Sequence, residues 1–477
     1  MARINTNVAS LTAQRGLAKS QRTMADTLRR LSSGLRINRG ADDPAGLIAS
    51  ETLRSEISGV TQAIDNSSRA SNVIATAEGA LGEVASLLLN IKDLIVEAAN
   101  SGALSPEEIN ANQLQVDSAV ESITRISNTT TFAGLHLLNG SLDYVTSGVN
   151  TGDVKALDIS QANFGTSPTI PVDVNVITSA RTAELQFAGS SIANSVTLEI
   201  AGTEGVEVLT FTSGTTASAM AFAVNRISDS TGVTAGLRNS ATLASGLAFH
   251  SSGFGSRNFV SVTAQSGTFA TTDGLSGAAT TRGVGRDVVA TVNGALTVGD
   301  GLNVKLNTTT LDMNLTLSDT FGAGGTSFAI TGGGALFQLG PQVTSNQQVN
   351  VGIRSVAASK LGDNAIGFLN DVVTGGKSTL VGGNAGSASR IIERAIRQVA
   401  IMRGRLGAFE KNTLETNINS LGVALENVTA SESSIRDADF AAETAALTRA
   451  QILTQAGTSV LATANTTPQS VLSLLGS

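Results

Sequence analysis

Apolar residues alternate at spacings of four and three along the stretch after Pro44, at Val73, Ala77, Ala80, Val84, Leu87, Ile91, Leu94 and Ala98. This is the seam of a coiled coil, and it predicts a helix from about Pro44 to Asn100 that is about 80 Å long at 1.5 Å per residue. Asp43 before Pro44 supplies an N-cap and a first-turn proline, and Ser101 with Gly102 ends the run. Ser105-Pro106-Glu107-Glu108 reads as a capping box that starts a second helix. Ile109, Val116, Val120 and Ile123 give that helix one apolar face, so it can fold back antiparallel on the first. Near the other chain end Leu414, Ile418, Leu421, Leu425 and Val428 repeat the spacing, as Ile392, Ile396 and Val399 do upstream. Neither end can hide its stripe alone, so a bundle drawn from both ends is predicted.

Between the ends the period changes from helical to two. Val172, Val174 and Val176 alternate with polar residues, as Val196, Leu198 and Ile200 do, which predicts half-buried strands. Val196 to Ile200 and Val206 to Phe211 flank a Gly-rich turn and read as a hairpin. A short helix follows at Met220, Val224 and Ile227, then strands near Val233 and at Phe259 to Val262. Leu302 to Leu306 and Leu311 to Leu317 form a second hairpin. Thr129 to Gly140 predicts a small β element closed by an Asn139-Gly140 turn. The centre must leave the bundle and return to it, as an insertion with neighbouring ends does.

The fold class is therefore an elongated, multidomain α+β chain, with mainly α terminal regions in a coiled-coil-like bundle and a β-rich central insertion. The expected division assigns 1–44 and 436–477 to one helical layer, 45–178 and 338–435 to a helical rod with a small hairpin, and 179–337 to an outer insertion of one or two modules.

Composition narrows the chemistry. Hydrophobic content is 41% with 3% aromatics and no tryptophan, so the core must be aliphatic. There is no cysteine, which removes disulfides and thiolate chemistry. The two histidines, His136 and His250, lie in different regions and cannot build a His-Glu-x-x-His zinc site. Thr374-Gly-Gly-Lys-Ser378 resembles the tail of a phosphate loop, but Asp371 stands where its first glycine belongs. Asp42-Asp43 and Asp437 with Asp439 fall at helix boundaries, where capping is the simpler reading. No catalytic, metal or cofactor site is predicted, and no enzyme activity.

Residues 1–40 carry eight Arg or Lys and one Asp, a net of +7 that leaves about −14 for the rest of a chain of net −7. No aromatic is interleaved with these basics, so a solvated helix face that meets acidic neighbours is preferred to nucleic-acid binding. No run of 18 apolar residues predicts a membrane span, and Arg3, Asn5, Asn7 and Ser10 interrupt any leader-like apolar core.

Specific strings then add a resemblance. Leu31-Ser-Ser-Gly-Leu-Arg-Ile-Asn38 with Ala41-Asp-Asp-Pro-Ala-Gly46, and Ile435-Arg-Asp-Ala-Asp-Phe440 with Leu447-Thr-Arg-Ala-Gln-Ile-Leu453, closely resemble bacterial flagellin. Met1-Ala-Arg-Ile-Asn-Thr-Asn7, Gln455-Ala-Gly457 and Val471-Leu-Ser-Leu-Leu475 match its two extremities as well. The resemblance covers about 1–145 and 350–477. It implies a self-assembling subunit of an extracellular filament, exported through the flagellar type III apparatus without a cleaved leader. The implied partners are further copies of the chain, an export chaperone, and hook-associated and cap proteins. Nearest rivals are a hook-filament junction protein, which shares the terminal bundles, and a secreted adhesin displayed by its β modules.

The same resemblance places filament-core contacts on Ile4, Val8, Leu11, Leu28, Leu31, Leu35, Phe440, Leu447, Ile452, Leu453, Val460, Leu461, Val471, Leu472, Leu474 and Leu475. Residues of about 1–40 and 440–477 are expected to wait for neighbouring subunits, because isolated helices with broken seams are marginal in water. A Toll-like immune receptor would meet Leu88, Leu89, Asn90, Lys92, Asp93, Leu94 and Glu97. Asn90 replaces the arginine of strongly recognised members, which argues against activation.

Overall fold

A computed structural model describes residues 6–165, 167–239, 246–308, 310–364 and 366–475, with side chains through 466. It divides into two units, one formed by 1–69, 339–343 and 412–477 and the other by 70–338 and 344–411. Helices α1 (Val8–Ser33), α2 (Pro44–Ala98) and α3 (Pro106–Thr129) open the chain, and α4 (Ala217–Arg226) and α5 (Ser228–Thr231) interrupt the β region. α6 (Ala385–Phe409), α7 (Thr416–Arg436) and α8 (Phe440–Leu475) close it.

The start of α2 explains the Ala41-to-Gly46 string. Asp42 accepts the backbone N–H groups of Asn38 and Arg39, and Asp43 caps α2 by accepting the N–H of Gly46 at 2.9 Å. A Cβ at Gly46 would fall 2.4 Å from the Asp43 carboxylate and 2.7 Å from Ile37, so only glycine fits beneath this cap. At α3 the Ser105 hydroxyl and Glu108 carboxylate exchange hydrogen bonds with each other's backbone, the capping box expected from the sequence.

Along α2 the residues that disappear from solvent are Ser50, Val60, Ala63, Ser67, Ala70, Val73, Ile74, Ala77, Leu81, Val84, Leu88, Ile91, Ile95 and Ala98. Apart from Val73, the run from Val60 onward is an unbroken 3-4 alternation. It shares Val73, Ala77, Val84, Ile91 and Ala98 with the sequence reading, adds Ile74 beside Val73, and takes Leu81, Leu88 and Ile95 where Ala80, Leu87 and Leu94 were expected. A heptad seam leaves a one-residue ambiguity at each alternate step, and at the first of these the bulkier Leu81 takes the inside place over Ala80. Between α6 and α7 the helix passes through a π turn at Glu410–Glu415, on which Leu414 is fully buried.

In the first unit the segment 339–343 crosses α2 at Gly59, where an added Cβ would lie 3.0 Å from Pro341. Asn417 on α7 donates to the carbonyl of Leu339 at 2.8 Å and to the hydroxyl of the buried Ser67 at 3.1 Å.

In the second unit α6 runs antiparallel to α2, fixed by Lys92 with Glu393 at 3.2 Å and Arg403 with Glu78 at 3.6 Å. Two β cores follow. The inner one joins a five-stranded antiparallel sheet containing Ile170–Thr178, Val289–Val292 and Gly324–Gly333 to a six-stranded sheet containing Val154–Ala162, Asn303–Asn307 and Leu311–Leu317. Tyr144, the only tyrosine, lies within it, accepting the N–H of Ala162 at 2.8 Å and donating to the carbonyl of Asn350 at 3.0 Å. Burial pushes its phenol well above the ordinary range.

The second core holds Thr182–Phe187, Val196–Ala201, Leu247–Phe254 and Phe259–Ser266 with α4 packed on Val233–Leu237. The expected hairpins at 196–211 and 303–317 are both present. The expected boundary at 179 is corrected: strands of 144–178 share a core with 288–330, so the β region begins inside the segment assigned to the rod. The hairpin after α3 pairs Thr131–Phe132 with Leu135–His136 and turns at Ala133-Gly134, both at positive φ, rather than at Asn139-Gly140. Asn139 instead accepts the N–H of Ser141 in a separate turn.

Candidate assembly surface

α1 and α8 form an antiparallel pair in the first unit. Asn7 caps α1 by accepting the N–H of Ser10, and Gly34 ends it in the left-handed conformation, donating its N–H to Arg30. Asp439 starts α8 by accepting the N–H groups of Ala441 and Ala442. Across the pair, Asn7 donates to the carbonyl of Ala464 at 2.8 Å, Ser10 bonds Asn465 at 2.8 Å, and Arg30 meets Glu443 at 3.1 Å. Small residues permit this approach: a Cβ at Gly457 would lie 3.3 Å from Leu17. Beyond the helix ends the backbones bond directly, Arg36 N–H to Arg436 at 2.7 Å and Ala438 N–H to Gly34 at 2.9 Å.

What this pair buries is small or polar: Ser10, Thr27 and Ala450. The large apolar residues point the other way. Val8, Leu11, Leu28, Phe440, Ile452, Leu453 and Val460 are all exposed, Ile452 by 63%. Leu31, Leu35, Leu447 and Leu461 are half-buried. Ile4 lies outside the described residues, and so do the side chains of Val471, Leu472, Leu474 and Leu475 on α8. Both terminal segments are helical and paired in the single chain, with their apolar faces left uncovered. Exposed Ile48 on α2 and Val423 on α7 belong to the same unit and were not singled out from the sequence, because each stands alone outside a seam.

The receptor-surface assignment needs one correction. Leu88 has no exposed area, since it belongs to the α2 seam. Leu94 is half-buried and Lys92 is engaged with Glu393, whereas Leu89, Asn90, Asp93 and Glu97 are exposed.

The phosphate-loop likeness at 374–378 is a structural turn. Thr374 donates both its N–H and its hydroxyl to Asp117 of α3, Ser378 donates its N–H to the carbonyl of Asp371, and a Cβ at Gly376 would lie 2.2 Å from that carbonyl. No described helix is long and apolar enough to cross a membrane.

The arrangement leaves uncovered aliphatic faces on two helices, each set in place by caps and cross-bonds. Residues 4–143 match the model of the bacterial flagellin N-terminal helical region, 389–475 that of the C-terminal helical region, and 197–253 that of the flagellin hook IN motif. A flagellin of Salmonella rubislaw is 31% identical, and the B-type flagellin of Pseudomonas aeruginosa 32% identical, each alignment covering 99% of both chains. The solved structure of FliC from Burkholderia pseudomallei is similar at a TM-score of 0.24 and 15% identity, covering 72% of this chain and 99% of that one.

Proposed function

The chain belongs to the bacterial flagellin family and is a structural subunit of the flagellar filament; from that premise we propose that copies join through the uncovered faces of α1 and α8. The observation that carries this is the inversion of burial in the pair, with Ser10, Thr27 and Ala450 inside and Val8, Leu11, Ile452, Leu453 and Val460 outside. Covering a half-exposed aliphatic side chain is worth on the order of 1 kcal/mol, so a face of this size favours association strongly. A contact between different surfaces of identical copies whose rotation does not close a ring propagates as a helical filament.

Family membership supports the rest of the reading. The subunit leaves the cell through the flagellar type III apparatus, held by an export chaperone, and adds beneath a cap protein. Its role is assembly rather than catalysis. Leu89, Asn90, Asp93 and Glu97 are the exposed residues available to a Toll-like receptor, and Asn90 in place of arginine makes this a weak activator.

Seeded growth tests the proposal. Heat-dissociated protein added to sheared filament seeds should lengthen them under negative-stain microscopy, and a chain with Leu11→Ser and Val460→Ser should not. Growth of that variant at the parental rate would overturn it.

A further inference from the structure

We propose that Asn139 is a site of self-modification, at which the folded chain converts asparagine to aspartate and isoaspartate without an enzyme, while the other Asn-Gly pair of the sequence is protected. The inference does not depend on the filament reading.

Asn139-Gly140 and Asn293-Gly294 are the two Asn-Gly pairs of the chain. Both glycines stand at positive φ, 98° and 80°, and neither has a side chain to shield its nitrogen. The sequence treats the two pairs alike. What separates them is where each carboxamide is held.

The carboxamide of Asn293 reaches across to the strand Ile170–Thr178. Its Oδ1 accepts the N–H of Asp173 at 2.8 Å, and its Nδ2 donates to the carbonyl of Pro171 at 3.0 Å. Both ends of the amide are committed, so Cγ cannot turn toward the Gly294 nitrogen without breaking both bonds.

Asn139 is exposed, and its Oδ1 accepts the N–H of Ser141, two residues on, at 2.9 Å. The ring of atoms closed by that bond contains the Gly140 nitrogen, which holds Cγ beside the atom that can attack it. The same N–H points at the oxygen on which negative charge develops and stabilises it as an oxyanion-hole donor does. Neither Nδ2 of Asn139 nor the N–H of Gly140 has a hydrogen-bond partner among the described residues, so leaving group and nucleophile are both free.

In the reaction the Gly140 nitrogen gives its proton to hydroxide and bonds to Cγ of Asn139. The Cγ–Nδ2 bond breaks, and ammonia leaves with a proton taken from water. Water then opens the cyclic succinimide at either carbonyl, giving aspartate or isoaspartate with no change in oxidation state. Isoaspartate routes the backbone through Cγ and so inserts a methylene directly after Leu138. That residue is fully buried, and its carbonyl accepts the Ser127 hydroxyl at 2.6 Å and the Val356 N–H at 3.1 Å. The modification therefore falls where the chain passes from α3 toward the inner β core.

Peptide mapping of the full-length chain, kept folded in mildly alkaline buffer and sampled over days, is the test. Fragmentation that separates isoaspartate from aspartate should find Asn139 converted about tenfold faster than Asn293. In guanidinium at the same pH the two should convert at similar rates, since only the fold distinguishes them. Asn139→Gln, its fold checked by circular dichroism, should lose most of the isoaspartate that an isoaspartyl methyltransferase labels in the parent. Equal rates in the folded chain, a faster Asn293, a difference just as large in guanidinium, or undiminished labelling of folded Asn139→Gln would each overturn the proposal. The rate comparison uses the parent chain alone, so it decides the matter even if Asn139→Gln does not fold.

Discussion

The guanidinium of Arg436 stands 2.9 Å from the carboxylate of Glu51, joining the end of α7 to the first turns of α2 across 385 residues of sequence. Arg436 also donates to the hydroxyl of Ser50 at 3.3 Å, and its carbonyl accepts the N–H of Arg36. One residue thus holds three segments of the first unit.

That pair predicts a pH dependence. Hydrogen bonds from Arg436 and then Arg54 lower the Glu51 carboxyl below its usual range. A carboxylate with a depressed folded-state value contributes stability above its unfolded value, and that contribution is lost as pH falls through the folded one. Glu51→Gln should therefore melt slightly earlier at neutral pH and show a shallower loss of melting temperature on acidification from about pH 6 to about pH 3. An acid limb parallel to the parent's would count against the pair.

Leu88 and Leu89 are neighbours with opposite environments, the first fully buried and the second exposed. Leu88→Ala should cost about 2–5 kcal/mol by emptying the seam. Leu89→Ala should stay within about 0.5 kcal/mol. Denaturant unfolding of the monomer distinguishes them, and equal losses would place the seam wrongly.

Excision of the outer β core should be clean only at one place. The backbones of Arg181 and Arg286 bond each other in both directions, at 2.8 and 3.0 Å, where the chain enters and leaves that core. Replacing 182–285 by a short turn should leave both the melting of the remainder and seeded growth close to the parent's. Removing 180–335 takes Val289–Val292 and Gly324–Gly333 away from Ile170–Thr178 and should expose Val172, Val174 and Val176, giving aggregation.

Shortening the chain by 450–477 removes most of α8 and with it the partners of Asn7 and Ser10. Seeded elongation should stop, while unfolding of the second unit, monitored through the single Tyr144, remains cooperative. Continued growth would show that the α8 face is dispensable.

Much of this was legible in the sequence because it rests on local rules. The capping box at Ser105, the Asp43 cap and the hairpin strands at 196–211 follow from side chains that bond their own neighbours. What was misplaced depends on distant partners. Whether Leu81 or Ala80 faces inward is decided by what packs against α2, and the joining of 144–178 to 288–330 is a pairing between segments over a hundred residues apart. Ala133-Gly134 was passed over for Asn139-Gly140 because alanine at positive φ is an uncommon turn former. For the proposed assembly faces, the resemblance pointed to apolar residues on α1 and α8, but that the pair hides a serine, a threonine and an alanine instead depends on how the two helices pack.

The paired backbones of Arg181 and Arg286 make everything between them, from the inner core's standpoint, a single closed loop. The entropy of closing a loop rises only logarithmically with its length, about 0.6 kcal/mol for each doubling. The stretch between those two arginines can therefore lengthen, shrink or be exchanged wholesale at almost constant cost to the rest of the subunit, which lets the face shown to the surroundings change sequence freely while the assembling helices keep theirs.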